Sequence, residues 1–214
     1  MKFTDGDPPM TDPKLSLREQ DVDSDPLRQF ALWFEDAARS GAPQPEAAAV
    51  ATASPDGAPS VRFVLVKQYD ERGFVFFSNY ESRKGRELRD NPRAALLFHW
   101  EALARQVRIE GSVERIALEE SVAYVRSRPR GSQLSALASP QSQVIESREW
   151  LERRVAELAD RYRDQELPVP DGWGGFRIAP ASYEFWQHRQ DRLHDRLRYT
   201  RAADLGWRIE RLAP

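Results

Sequence analysis

The sequence contains no cysteine. This absence excludes disulfide bonds, thiolate nucleophiles, zinc–thiolate sites and iron–sulfur clusters. The sequence also has no run of about 18 apolar residues, so we expect no transmembrane helix. The first residues, MKFTDGDPPMTDPK, lack the apolar core of a signal peptide. Together these absences indicate a cytoplasmic protein.

A strong excess of either charge is missing too. The 214 residues include 32 Lys and Arg and 34 Asp and Glu, which gives a net charge of −2. Such a balance gives no global attraction to nucleic acid or to an anionic membrane, so we expect neither as a partner. The three histidines are not spaced as metal ligands, and no metal site is expected. Phosphate-binding glycine loops and a serine nucleophile elbow are also missing from the sequence.

The chain is long enough for one large domain or two small ones with a proper core. Residues 1–23 are rich in Asp and Pro and predict a flexible N-terminal arm. A helix is predicted from Ser24 to the stop at Gly41, with Ser24 or Asp25 as its cap. Further helices are predicted over 81–92, 117–129 and 148–164. Strands are predicted over 47–53, 60–69, 73–79, 93–100 and 104–116, and as short strands after residue 173. We therefore predict a mainly β protein with α-helices, an antiparallel barrel decorated with helices, as a single domain over 24–214.

The segment EFWQHRQDRLHDR (184–196) crowds charged and aromatic side chains near the C-terminus. The alternation in RLHDRLRY predicts a strand over 192–199. Its apolar side chains would face the core: Leu193, Leu197 and Tyr199. Its other face would carry four polar side chains close to Trp186: Arg192, His194, Arg196 and Arg198. This face is either solvated or turned towards an anionic, aromatic ligand, since arginine binds phosphate and stacks on rings.

Other basic clusters also predict anion sites. In YESRKGREL (80–88), Ser82 caps a helix that begins with Arg83 and Lys84, and a helix N-terminus attracts phosphate. An ordinary capped basic helix is the alternative. The segment YVRSRPRGSQ (124–133) gathers Tyr124, several arginines and Ser132 around a turn. A protein that binds single-stranded nucleic acid could use similar basic and aromatic residues on a small barrel, but the balanced net charge argues against this function.

Several motifs together resemble the pyridoxamine 5′-phosphate oxidase family. They occur in the family's order over residues 24–214 as RFVLVK (62–67), NYESRKGREL (79–88), RQVRIEG (105–111), SRPRGSQLSA (127–136), SPQSQ (139–143), WGGF (173–176), EFWQ with RLHDR (184–196) and RLAP (211–214). The resemblance implies an FMN-binding split β-barrel, antiparallel and of Greek-key type. It also implies a homodimer with two FMN sites at the interface, and oxidation of pyridoxamine or pyridoxine 5′-phosphate to pyridoxal 5′-phosphate by O2.

The resemblance also assigns site residues. The flavin site would comprise Arg62, Phe77, Ser78, Arg83, Lys84, Gln106, Gln141, Ser142, Trp186 and Arg196. The substrate phosphate would be held by Lys67, Tyr124, Arg128 and Ser132. Arg192 and His194 would be the catalytic pair, contacting the pyridine ring of the substrate while FMN takes a hydride from its C4′.

Three positions depart from the family pattern. The N-terminal stretch PPMTDPKL (8–15) has neither residue of the Arg-x-x-Tyr-type segment that closes over the substrate. Phe77 stands where tyrosine is common, and His188 stands where glycine is usual. Simple alternation also places Arg62 and Lys67 on opposite faces of one strand, which requires a bulge, a twist or a site shared between subunits.

Two rival functions stay open. A flavin oxidase of the phenazine-biosynthesis type shares the fold and the flavin site, but its substrates carry no phosphate. A non-catalytic binder of FMN or pyridoxal phosphate would leave Arg192 and His194 without a task.

Overall fold

The computed structural model describes residues 16–202 and 206–214. Five α-helices occur in these residues: α1 (Pro26–Arg39), α2 (Arg83–Asp90), α3 (Leu118–Ser127), α4 (Arg130–Ala138) and α5 (Arg148–Arg161). The same residues contain eight strands: β1 (Ala47–Ala53), β2 (Pro59–Asp70), β3 (Gly73–Asn79), β4 (Arg93–Trp100), β5 (Arg105–Arg115), β6 (Trp173–Gln187), β7 (Asp195–Arg201) and β8 (Trp207–Arg211). None of the helices in this described part is long and apolar enough to cross a membrane.

The strands form one sheet in the order β3-β2-β1-β4-β5-β6-β7-β8. An additional antiparallel pairing between β3 and β6, with Phe76 opposite Phe176, joins the ends of the first six strands. The result is a closed six-stranded antiparallel barrel, from which β7 and β8 extend. The predicted antiparallel barrel with helices is therefore confirmed.

Contacts divide the chain into two compact units. The first comprises Met1–Val50, Ala95–Gly111 and Pro180–Pro214, of which 1–15 and 203–205 lie outside the described residues. The second comprises Ala51–Ala94 and Ser112–Ala179. The assignment of residues 24–214 to one domain stays a prediction.

Helix α1 supplies much of the apolar core of the first unit. Asp25 caps it by accepting a hydrogen bond from the backbone N–H of Leu27 at 2.9 Å, and Pro26 occupies the first turn. Phe30 is fully buried and meets the ring of Phe98 at 5.0 Å between centroids. Burial of such aromatic faces supplies most of the helix's stability, since short helices are marginal on their own.

The core of the second unit lies between β3 and β6. Phe74, Val75 and Phe76 on β3 are fully buried, and the ring of Phe76 stacks on Phe176 at 5.5 Å. A smaller apolar cluster joins α4 to α5 through Leu134, Ala138, Leu158 and Leu167.

Three local predictions need correction. Helix α4 was not predicted: α3 ends at Ser127 and α4 begins at Arg130, so the turn predicted within 124–133 is confined to Arg128 and Pro129. Residues 173–187 form one strand, not two.

The strand predicted over 192–199 begins only at Asp195, and Leu193 is 69% exposed where a core position was expected. Asp191 and Arg192 have φ angles of 55° and 58°. These left-handed conformations interrupt the extended backbone, so the alternation of faces does not extend back to residue 192.

The described end of the N-terminal arm, residues 16–23, is packed against the protein instead of being free. Leu17 is buried, and its backbone N–H donates to Asp195 Oδ2 at 3.2 Å. Arg211 pairs with Glu19 at 2.8 Å, and the hydroxyl of Tyr199 donates to the Asp23 carbonyl. The atypical stretch 8–15 lies outside the described residues.

Candidate functional site

The N-terminus of α2 is built as its sequence predicts. Ser82 is fully buried, and its Oγ accepts a hydrogen bond from the backbone N–H of Gly85 at 3.3 Å. Gly85 is required here because a Cβ at this position would lie 2.1 Å from the Tyr80 carbonyl oxygen. Gly85 therefore lets the turn between β3 and α2 pack closely, directly after Lys84.

Lys84 is the most distinctive cation of this cluster, because it is only 8% exposed. Its Nζ donates to Ser78 Oγ at 2.8 Å, to Gln141 Oε1 at 2.9 Å and to Ser82 Oγ at 3.3 Å. All of these partners are neutral. Burial, assisted by the charge of nearby Arg62, lowers the pKa of Lys84 to about 8. A buried ammonium surrounded by neutral oxygens is suited to receive an anion.

Arg62 and Arg83 share the carboxylate of Glu87. Arg83 Nε lies 2.8 Å from Glu87 Oε1, and Arg62 Nη2 lies 3.4 Å from Oε2. Burial alone would raise the pKa of Glu87, but hydrogen bonds from Ser60, Thr52 and Arg83 and the charge of Arg62 lower it to about 2. Both arginines are thus held in place by an acid that the sequence reasoning missed. The i,i+4 spacing of Arg83 and Glu87 is the signal that would have found it.

Lys67 lies at a bulge in β2. Val66 pairs with Phe76 and Gln68 with Val75, so Lys67 is an extra residue relative to β3. Simple alternation would place Arg62 and Lys67 on opposite faces of β2, and a bulge between them is one of the irregularities that can change this. The side chain of Lys67 is exposed.

Three rings are nearly parallel to one another, and one of them, Trp173, lies beside Arg128. Phe77 and Tyr124 stack at 3.6 Å between centroids with planes 11° apart. Trp173 lies 5.9 Å from Phe77 and 6.1 Å from Tyr124, with interplanar angles of 12° and 2°. The guanidinium carbon of Arg128 lies 4.8 Å from the centre of the Trp173 ring. The sequence placed Trp173 only in the WGGF motif (173–176) and predicted no role for it.

Arg128 has an unused donor. Its Nη1 is buried and has no hydrogen-bond partner among the described residues. Leaving a charged donor buried and unpaired costs free energy, so such a group marks a place where a ligand can bind. Ser132 lies in the first turn of α4, three residues after Pro129, which precedes that helix.

The loop after α4 contributes Gln141 and Ser142. Gln141 Oε1 lies 3.1 Å from Ser78 Oγ and 2.9 Å from Lys84 Nζ, which links the loop to the α2 cluster. Ser142 has a φ of 69°. A left-handed serine stores backbone strain, which is common at ligand sites.

In the first unit, Trp186 on β6 meets two imidazoles. The ring of His194 lies 4.6 Å from Trp186, and His188 lies 5.1 Å from His194. The backbone N–H of Arg189 donates to His194 Nδ1 at 3.2 Å. In the neutral ring the proton is therefore on Nε2, which leaves Nε2–H as a donor.

The protonation of His194 is disfavoured. Burial lowers its pKa first, and the positive charges of His188, Arg192 and Arg196 lower it further. Arg192 is exposed, in the left-handed turn described above. The neutral Nε2–H form of His194 is thus the form present at neutral pH.

Arg196 is paired with Glu184. Its Nε donates to Glu184 Oε1 at 2.8 Å, and its Nη1 donates to the Ala213 carbonyl at 2.8 Å. Glu184 is 7% exposed and also accepts a hydrogen bond from Arg108. Gln106 lies half-buried on β5. Glu184 is a second acid that sequence reasoning passed over.

The predicted residues are divided between the two units. One group lies in the second unit: Arg62, Lys67, Phe77, Ser78, Arg83, Lys84, Tyr124, Arg128, Ser132, Gln141 and Ser142. The other lies in the first unit: Gln106, Trp186, Arg192, His194 and Arg196.

Two family models match the chain. The model described as pyridoxamine 5′-phosphate oxidase matches residues 34–162. The model described as the pyridoxine 5′-phosphate oxidase C-terminal dimerisation region matches residues 173–214.

Named relatives are similar over almost the whole chain. A pyridoxine/pyridoxamine 5′-phosphate oxidase of Rubrobacter xylanophilus is 56% identical over 201 residues, 94% of this chain and 92% of the relative. A protein of the same name from Trichormus variabilis is 54% identical over 93% of each chain. Among solved structures, PhzG from Burkholderia lata in complex with tetrahydrophenazine-1-carboxylic acid is 33% identical, with a TM-score of 0.87 and coverage of 94% of this chain and 98% of PhzG.

Proposed function

We propose a function from the premise that this chain belongs to the pyridoxamine 5′-phosphate oxidase family. Within that family of flavin oxidases, we assign it the oxidation of pyridoxamine and pyridoxine 5′-phosphate to pyridoxal 5′-phosphate. FMN would be the cofactor and O2 the electron acceptor, with release of H2O2, and of NH3 from the amine. The observation that carries this proposal is the buried, unpartnered Nη1 of Arg128, since it offers a charged donor for a second phosphate in addition to the cluster around Lys84.

The residues around Lys84 fit the phosphate of FMN. Lys84 is a buried ammonium with neutral partners, and it lies in the first turn of a helix whose dipole favours an anion. Arg62 and Arg83 add positive charge beside it, although Glu87 neutralises part of that charge. The other residues that would hold the flavin are Phe77, Ser78, Gln106, Gln141, Ser142, Trp186 and Arg196. FMN held by these residues would supply two-electron redox chemistry between C4′ of the substrate and O2.

The second phosphate site favours a vitamin B6 substrate. Arg128 offers a free charged donor, and Tyr124 and Ser132 offer hydroxyl groups on the neighbouring helices α3 and α4. Lys67 would complete the set from the bulge of β2. The compound in the PhzG complex, tetrahydrophenazine-1-carboxylic acid, carries no phosphate. A phenazine-type oxidase has no use for this second site.

His194 and Arg192 would orient the pyridine ring. Since Nδ1 of His194 accepts from the backbone, its Nε2–H can donate to the oxygen on ring carbon 3. Arg192 would lie against the ring and hold C4′ at the position from which hydride transfer occurs, because small misplacements cost orders of magnitude in rate. The amine substrate loses a hydride and a proton to give an imine, and water then hydrolyses this to the aldehyde and ammonia.

We further propose a homodimer in which two copies together complete each site. The dimerisation-region model matches residues 173–214, which include Trp186, Arg192, His194 and Arg196. These residues lie in one unit of the chain, and the phosphate-binding residues lie in the other. Light scattering of the flavin-loaded protein tests this, and a folded, active monomer would exclude it.

The similarity to PhzG supports a second candidate, a flavin oxidase acting on a phenazine precursor. One experiment separates the candidates. The purified protein is examined by visible spectroscopy and then mixed anaerobically with pyridoxamine 5′-phosphate. We expect a yellow protein whose flavin absorbance bleaches. A yellow protein that is reduced only by a dihydrophenazine would favour the second candidate, and one reduced by neither would favour a non-catalytic binder.

A further inference from the structure

The rings of Phe77, Tyr124 and Trp173 form a small aromatic cluster. It includes one proposed substrate ligand, Tyr124, and contacts another, Arg128. Trp173 is only 8% exposed, and its ring is parallel to that of Tyr124 within 2°. Offset parallel rings at 4.5–7 Å attract each other by about 0.5–1.5 kcal/mol beyond the effect of burial. Tyr124 is therefore stacked on Phe77, with Trp173 parallel to both rings about 6 Å away, before any ligand binds.

The same indole also holds Arg128. The guanidinium lies 4.8 Å from the ring centre, within the range of a cation–π interaction. No carboxylate of residues 16–202 or 206–214 lies within ion-pair distance of Arg128. Arginine side chains lose about 2 kcal/mol of rotamer freedom when they are fixed. An arginine already fixed on a ring has lost that freedom before the phosphate arrives.

Trp173 itself is rigidly placed. It is the first residue of β6 and pairs with Asn79 of β3, and its backbone N–H donates to the Pro170 carbonyl at 3.0 Å. The glycines that follow allow close packing of this strand: a Cβ on Gly174 would lie 2.1 Å from the Tyr80 hydroxyl. The ring therefore stands on a strand end that cannot shift easily.

We propose that Trp173 is a positioning residue for substrate selection: its ring orders Arg128 and Tyr124 so that both are prepared to bind the phosphate of the substrate. This inference rests on the proposed function. Trp173 touches the two ligands and is given no contact with the substrate. Its loss should therefore weaken recognition of the phosphate group and leave the chemical step intact.

The test compares Trp173→Leu with Trp173→Phe, which keeps an aromatic face, in the FMN-loaded enzyme. For Trp173→Leu we expect a KM for pyridoxamine 5′-phosphate roughly three- to thirty-fold higher, from the size of a cation–π interaction. The Ki of inorganic phosphate as a competitive inhibitor should rise by a similar factor. The value of kcat and the affinity for FMN should stay within about twofold of wild type, and Trp173→Phe should lie between the two proteins.

A purely structural role of Trp173 gives a different pattern. It would lower kcat, FMN content and thermal stability together, without a selective change in the Ki of phosphate. Arg128→Ala supplies a second test, since in that background Trp173→Leu should raise the KM by a smaller factor than it does in the wild-type enzyme. Unchanged KM and Ki in Trp173→Leu, or full additivity with Arg128→Ala, would overturn the inference. If pyridoxamine 5′-phosphate does not reduce the flavin of the wild-type enzyme, the proposed function itself fails.

Discussion

Lys84→Met removes the buried ammonium on which the proposed FMN phosphate site depends. The methionine fills nearly the same space, so the main change is electrostatic. A hydrogen bond to a charged group contributes about 1.5–3 kcal/mol, which corresponds to roughly 10- to 150-fold weaker binding of FMN. The flavin-free protein should not be destabilised to the same extent, because the ammonium of Lys84 is buried against neutral partners only.

The pKa of Lys84 adds a second expectation with a definite sign. Burial and the charge of Arg62 lower this pKa from 10.5 to about 8 in the folded protein. Between pH 8 and 10.5 the unfolded chain retains a proton that the folded chain releases, so the free energy of unfolding rises with pH. The destabilising contribution, about 3 kcal/mol, is fully present below pH 8. The difference in stability between flavin-free Lys84→Met and wild type should therefore shift in favour of wild type as pH rises from 8 to 10.

Binding of the flavin phosphate should reverse this pKa change. A phosphate dianion next to Lys84 stabilises the protonated ammonium, so binding takes up a proton above pH 8. The Kd of wild-type protein for FMN should then increase by up to about tenfold per pH unit between pH 8 and 9.5. Lys84→Met lacks the titrating group and should show no such slope. Lys84→Arg keeps a permanent charge and serves as the matched control, also without a slope.

The assay is quenching of FMN fluorescence during titration of the flavin-free proteins at several pH values, with urea unfolding at the same values. Two results would refute the reasoning. Binding of FMN by Lys84→Met as tight as that of wild type at pH 7.5 would place the phosphate elsewhere. Alternatively, all proteins could show the same pH slope, which would mean that another group titrates.

Three further predictions follow. Arg128→Ala should raise the KM for pyridoxine 5′-phosphate roughly ten- to a hundred-fold with the flavin retained, and an unchanged KM would place the substrate phosphate elsewhere. His188→Gly removes a ring that lowers the pKa of His194, so this pKa should rise, as NMR titration of the histidine ring signals can check; an equal pKa would show that the two rings do not interact. Leu197→Asp should unfold the protein by placing a charge at a fully buried position, whereas Leu193→Asp at a 69% exposed position should change the free energy of unfolding by under about 0.5 kcal/mol, as urea titration of both variants can check.

The fold was predictable where local signals agree. Alternating apolar residues and turn residues place β1 to β5 within one or two residues of their observed bounds. The local sequence also correctly predicted Ser82 as the N-cap of α2. The failures have a common cause. Helix α4 has no side-chain cap and only a short apolar stripe, so Leu134 and Ala138 are stabilised by packing on α5 rather than by local sequence.

The start of β7 fails for a related reason. In RLHDRLRY the apolar residues alternate perfectly, and a strand over the whole segment is the natural interpretation. The left-handed turn at Asp191 and Arg192 is not encoded by glycine, the residue that usually signals it. Nothing in the local pattern therefore shows that Leu193 is exposed while Leu197 is buried.

The site shows the same division between local and distant information. The helix cap and its cations were predictable from the nine residues 80–88. Glu87, which pairs with Arg62, also accepts hydrogen bonds from Thr52 on β1 and Ser60 on β2, and these contacts are distant in sequence. Likewise, the partnership of Trp173 with Arg128 joins residues 45 positions apart. Such pairs form only in the folded chain.

The contacts also divide the proposed cationic ligands into two kinds. Glu87 pairs with Arg62 and Arg83, and Glu184 pairs with Arg196, so these arginines are fixed but partly neutralised before a ligand binds. Lys84 has only neutral partners and Arg128 has an unpaired buried nitrogen. An incoming phosphate gains most from a cation that has no carboxylate to compete with it. Lys84 and Arg128, one in each proposed phosphate site, are therefore the residues from which the binding energy for the two phosphates should chiefly come.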